Sequence, residues 1–198
     1  MHPDYVEAHS MFVRDTENHA MTVIRADGVN RHLRFGQPGC SAYWFDIITW
    51  PGVLCINGDM GTYVFARIED MFEFFKVESE RYPINPGYWG EKILARDKHA
   101  DIVEFDEDEF KEILKQIIAD SDYDEESALD ALESDVLSQV TYATTRDDAF
   151  AIAAVFEFED ECPFSDIWEY RCERFTFQYL WNCFAITYAI RKFEEHVS

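Results

Sequence analysis

Basic residues are scarce in this chain. Seventeen Lys and Arg stand against forty Asp and Glu among 198 residues, a formal net charge of −23. Such a field repels nucleic acid and anionic membrane and attracts basic surfaces. Neither direct nucleic-acid binding nor membrane binding is therefore expected. A C-x-x-C pair is missing as well. The five cysteines, Cys40, Cys55, Cys162, Cys172 and Cys183, are an odd, scattered set. They suggest neither a disulfide framework nor a zinc ribbon. They read as reduced, mostly buried thiols in a cytoplasm. The opening Met-His-Pro-Asp is neither basic nor apolar, so no secretory signal is expected there. No internal repeat is visible.

Reaction motifs are also lacking. Gly58-Asp59-Met60-Gly61 follows a strand-like run, and strand-Gly-Asp occurs where an aspartate bridges two metals. That chemistry needs further ligands, commonly an upstream D-x-H and a downstream G-N-H. Neither is present, and no two of the six histidines stand at ligand spacing. Asp59 therefore reads as a turn residue bonding its own backbone. No Gly-Lys-Ser/Thr follows the glycines, so they form no P-loop. There is no G-x-S-x-G and no Cys beside a His. Cys40, after Pro38-Gly39, reads as another buried thiol. No catalytic residue, metal or cofactor is assigned.

What is present is 47% apolar residues and a 16% aromatic share, enough for a real core in one domain over 1–198. From Met21 to Arg67 the period is two. MTVIRA and NRHLRF meet at Asp27-Gly28, a hairpin dipeptide. SAYWFDIITW, VLCIN and TYVFARI follow, separated by Pro51-Gly52 and the Gly58–Gly61 stretch. The pattern predicts an antiparallel meander over 21–67. A short helix is expected in EDMFEFFKVESERY. In YPINPGYWGE, the prolines and glycines argue against regular structure. There Tyr82, Tyr88 and Trp89 either cap the core or form an exposed binding anchor. The first twenty residues carry no clear pattern.

Helices are expected over 105–156. Phe110, Ile113, Leu114, Ile117 and Ile118 share one helical face behind an Asp106 cap, with Glu109 in the reciprocal position. Leu129, Leu132, Val136 and Val140 repeat the pattern, with Glu126, Asp130, Glu133 and Asp135 outward. A third helix is expected from Thr145, boxed by Asp148 and broken at Pro163. Residues 174–196 hold sixteen uncharged residues in a row between Arg174 and Arg191, with aromatics on every side. That run is short for a membrane span and diluted by Gln178 and Asn182. It predicts a buried central helix with the meander and the acidic helices gathered about it. The fold class is α+β.

Two blocks, YWFDIITWPGVLCINGDMGTYVFAR (43–67) and FTFQYLWNCFAITYAIRKFEE (175–195), resemble a family of hypothetical proteins in phages and prophages of proteobacteria. The resemblance implies a mobile-element setting. It implies no mechanism and no site residues.

Between Asp101 and Asp135 there are fifteen Asp/Glu and two Lys. Carboxylates three or four residues apart on a helix repeat at about 5–6 Å. That is comparable to successive phosphates along a strand, so such a face can occupy a Lys/Arg groove meant for nucleic acid. The candidate contacts are Asp106, Asp108, Glu109, Glu112, Asp122, Asp124, Glu125, Glu126, Asp130, Glu133 and Asp135. The partner would be a basic host protein that binds nucleic acid. In a phage setting this describes an inhibitor of host defence, of anti-CRISPR or anti-restriction type. Three alternatives stay open: a solvated face serving solubility alone, an enzyme (hydrolase or nucleotide-modifying), and a binding module for a small ligand or another phage protein.

Overall fold

The computed structural model describes residues 3–77, 84–143 and 145–198. The chain divides into two compact units: Met1–Ile102 with Phe175–Ser198, and Val103–Arg174.

In the first unit the expected meander is present and has a sixth strand. β1 (Ala20–Asp27), β2 (Asn30–Gly36), β3 (Phe45–Trp50), β4 (Val53–Gly58), β5 (Gly61–Ala66) and β6 (Ile93–Arg96) form one antiparallel sheet in chain order. Period-two alternation divides its faces. Leu33, Phe35, Phe45, Ile47, Leu54, Ile56, Tyr63 and Phe65 are fully buried on one side. His32, Ile48, Cys55 and Asn57 alternate with them and are half-buried, and Arg34 is exposed.

The buried face is covered by helices. These are α1 (Pro3–Thr16), α2 (Met71–Phe75), α3 (Pro86–Gly90) and α8 (Phe177–Val197). Residues on all of them join one apolar core with the sheet. α8 is the buried aromatic helix expected from its composition. Thr176 caps it, accepting from the Tyr179 N–H at 3.3 Å. Its polar atoms are satisfied inside: Tyr179 Oη donates to the Pro86 carbonyl at 2.7 Å, and Asn182 Nδ2 to the Met60 carbonyl at 2.6 Å.

Three elements here escaped the sequence reading. α1 buries only Ala8, Phe12 and Thr16, a stripe too narrow to stand out in its mixed composition. It forms because that stripe seats on α8, where Phe12 meets Trp181 edge-on at 5.1 Å. Pro86–Gly90 is helical although irregular backbone was expected. Asn85 caps it and Pro86 takes the first position, where a missing N–H costs nothing. β6 has one half-buried and three exposed residues, so it carries no apolar alternation to read. α2 ends at Phe75, and the expected remainder of that helix falls partly on residues 78–83, outside the described residues.

The second unit is helical. β7 (Val103–Phe105) and β8 (Glu173–Phe175) pair where the chain enters and leaves it. Between them lie α4 (Glu107–Ala119), α5 (Glu125–Leu132), a π turn (Glu133–Leu137), α6 (Ser138–Val140) and α7 (Arg146–Ala154). The caps follow the local sequence. Asp106 accepts from Glu109 N–H at 3.0 Å, Asp124 from Ser127 N–H at 3.1 Å, and Thr145 from Asp148 N–H at 3.1 Å. The acidic helices, expected to gather about the last helix, bury Phe110, Leu114, Ile118, Leu132, Val136 and Phe150 in a core of their own. The second acidic helix is not continuous, since the π turn interrupts it. The third stops at Ala154, well before Pro163, and Phe156 is buried beyond its end.

Candidate acidic interface

Charge is divided unequally between the two units. Residues 103–174 carry 23 acidic side chains and five basic ones, a net of −18 out of the chain's −23. The sequence reading placed the charge boundary near Asp135. The structure extends it, because Asp147, Asp148, Glu157, Glu159, Asp160 and Glu161 belong to the same unit. Glu159 and Asp160 sit in the left-handed region, at φ 51° and 66°. Both are exposed on a tight turn closed by the Phe158–Glu161 bridge.

Of the candidate carboxylates, Asp106 is half-buried. Asp108, Glu109, Glu112, Asp122, Asp124, Glu125, Glu126, Asp130, Glu133 and Asp135 are exposed. They are not equivalent. Asp106 and Asp124 are engaged as caps. Asp124 is held below the usual carboxylate range by the Ser127 hydroxyl and N–H. Glu112 pairs with Lys115 at 3.0 Å. The Lys115 ammonium is pushed up mainly by Glu112, with a smaller contribution from Glu133. Glu126, Asp130 and Glu133 stand at i, i+4 and i+7 along one exposed row that runs from α5 into the π turn. Asp135 was expected on that row. The helical period turns it away, and it lines a groove against α7 with Gln139, Ile152 and Glu157.

The aromatic loop is less of a surface than its composition suggests. Trp89 is 2% exposed, with Phe75 edge-on at 4.9 Å, so it belongs to the core and is no anchor. Tyr88 is exposed, with the Lys92 ammonium 4.7 Å above its ring. Tyr82 lies outside the described residues.

The Gly-Asp stretch is a hairpin loop, but Asp59 does not serve its own turn. Its Oδ2 accepts from the Tyr43 N–H at 2.7 Å, and its N–H donates to the Trp44 carbonyl at 3.1 Å. Tyr43 has φ 57°, so the contact pins a strained residue ahead of β3. Among the described residues no three His, Cys, Asp or Glu side chains lie close enough to hold a metal. Cys40, expected to be buried, is exposed, as is Cys162. Cys172 and Cys183 are buried. Desolvation pushes the Cys172 thiol up to about 11 and Cys183 higher still, which keeps both protonated and poorly nucleophilic at neutral pH.

One polar cluster had no sequence signal. Asp46, 4% exposed, accepts two 2.7 Å bonds from Arg34, whose guanidinium lies 4.8 Å over Trp44. His32 Nε2 is 3.3 Å from the same carboxylate. Strand pairing places Arg34 opposite Asp46, and only the register reveals it. Among the described residues no helix is long and apolar enough to cross a membrane. No family model, curated protein or solved structure matches the chain.

Proposed function

We propose that residues 103–174 are a polyanionic docking module that occupies a basic, nucleic-acid-binding groove on a partner protein. The observation that carries this reading is the partition of charge. A unit of 72 residues holds −18, while the rest of the chain holds −5. Exposed charge contributes little to folding, and like charges at this density oppose compaction. Glu107, Asp108, Glu109, Glu112, Glu125, Glu126, Asp130, Asp147 and Asp148 nonetheless sit on capped helices, where neighbours three or four residues apart are held about 5–6 Å from each other. Such a surface steers association with Lys/Arg clusters and competes with phosphates for them. In the mobile-element setting implied by the resemblance, the partner is a host defence protein such as a CRISPR effector or restriction subunit. The chain then acts as its inhibitor in the host cytoplasm.

The test uses the partner captured from host lysate. Association should slow at least tenfold between about 0.05 and 0.5 M salt, where screening shortens from beyond 10 Å to a few ångströms. Glu126→Lys, Asp130→Lys and Glu133→Lys together should slow it as strongly with the fold intact, and duplex DNA or RNA should displace the chain. A partner indifferent to salt, to the reversal and to nucleic acid would refute the reading.

A further inference from the structure

The acidic unit contains an open groove with a mixed polar and apolar lining. One wall is the π turn with α6, and the other is α7 with the residues just after it. One end, about 460 Å³, is lined by Asp135, Val136, Gln139, Ile152, Val155 and Phe156, among others. The other end, about 350 Å³, shares Gln139 and Ile152 and adds Tyr142 and Asp148. Val136 and Phe156 are buried beneath it. Tyr142 at 84% and Val155 at 76% are the two most exposed large apolar side chains among the described residues, and both lie on this groove. A π turn inside an α-helical segment recurs at functional sites, and Asp135 and Val136 both sit on this one.

The rim has one sign. Asp135, Asp148 and Glu157 line the groove, and none of the unit's five basic residues does. We infer that this groove receives a basic amphipathic helix of the partner protein. Its apolar side chains at i, i+3, i+4 and i+7 would seat on Tyr142, Ile152 and Val155, with flanking Lys or Arg over the acidic rim. Charge complementarity selects the occupant: an acidic segment is repelled, and a basic one is attracted by the rim's negative charge. Helical walls select its form, as in other helix-in-groove complexes. α7 has nine residues, about 13 Å at 1.5 Å per residue, which matches anchors spread over two turns. This inference rests on the polyanionic-docking reading and assigns one contact within it.

The probe is a labelled 16-residue Lys-rich peptide with Leu at those four positions. A second peptide of the same composition has its leucines scattered. Both are titrated by fluorescence anisotropy into the full chain at about 0.1 M salt. The patterned peptide should bind about tenfold tighter, as expected for burying an apolar anchor. Tyr142→Ser with Val155→Ser should erase that preference. Both side chains are exposed, so the fold, checked by circular dichroism, should persist. Lys at Glu126, Asp130 and Glu133 should weaken both peptides equally. Equal binding of the two peptides with steep salt dependence, or a preference that survives the double Ser variant, overturns the groove and leaves the polyanionic reading standing. A patterned preference without salt dependence overturns the polyanionic reading and, with it, the acidic rim's part in the groove.

Discussion

Truncating Trp181 to Ala tests whether α8 is the centre of the first unit. The side chain is 0% exposed. Its ring meets Phe12 at 5.1 Å and Phe45 at 5.6 Å, both edge-on, and so ties α1 and β3 to α8. Removing a fully buried Trp costs about 3–5 kcal/mol in transfer and cavity terms, which already contain most of those ring contacts. Indole Nε1 also donates to Asp15 at 3.3 Å. That carboxylate keeps its bonds from Arg14 at 3.0 and 3.2 Å, so losing the indole adds only about 1 kcal/mol. The sum is about 4–6 kcal/mol, comparable with the whole stability of a marginal domain. Trp181→Phe, which keeps one ring, should cost about 2 kcal/mol and remain measurable. The assay is urea unfolding followed by far-UV circular dichroism. With a slope of about 1.5–2 kcal/mol/M, the Ala variant should lose about 2–4 M in midpoint. A loss below about 0.5 M would refute the placement of Trp181 at the centre of this core.

Gly58→Ala should destabilise by about 2–4 kcal/mol, because its Cβ would overlap the Trp44 carbonyl oxygen and come 2.8 Å from Phe45 Cα, both backbone atoms that cannot move aside. Gly52→Ala, at φ +82° with open space around it, should cost only about 1–2 kcal/mol; equal melting temperatures for the two variants would remove the argument from close approach. Asp70 is held below the usual carboxylate range chiefly by its two 2.8 Å bonds from Arg31. A depressed folded-state value means that the unfolded chain takes up the proton first, so this stabilisation is complete above about pH 4 and fades as pH falls through the folded-state value. Asp70→Asn should cost about 1–3 kcal/mol at neutral pH and flatten the acid limb of the stability curve; an unchanged limb on acid titration would show that the pair is not the cause.

The sequence alone determined the elements whose signal is local. The meander from β1 to β5 follows from period-two alternation between turn dipeptides. The caps at Asp106 and Thr145 are legible because each side chain bonds an N–H three residues on. Net charge is a count, so a basic partner could be argued before any fold was known.

Tertiary structure decided what depends on partners distant in the chain. α1 has a narrow apolar stripe, and only the α8 surface beneath Phe12 makes its burial worthwhile. Whether Trp89 caps the core or stands out as an anchor could not be read among its proline, glycine and tyrosine neighbours; its ring is claimed by Phe75 from α2. Asp59 looked like a local turn residue because its partner, Tyr43, lies sixteen positions back. Arg34 and Asp46 meet only through strand register. The groove depends most on tertiary structure. Tyr142 and Val155 fall in segments with no shared periodicity, and they come to line one surface because the π turn, α6 and α7 pack over Val136 and Phe156. Composition can state that a surface is acidic; which apolar side chains it leaves uncovered is set by how the helices close their own core.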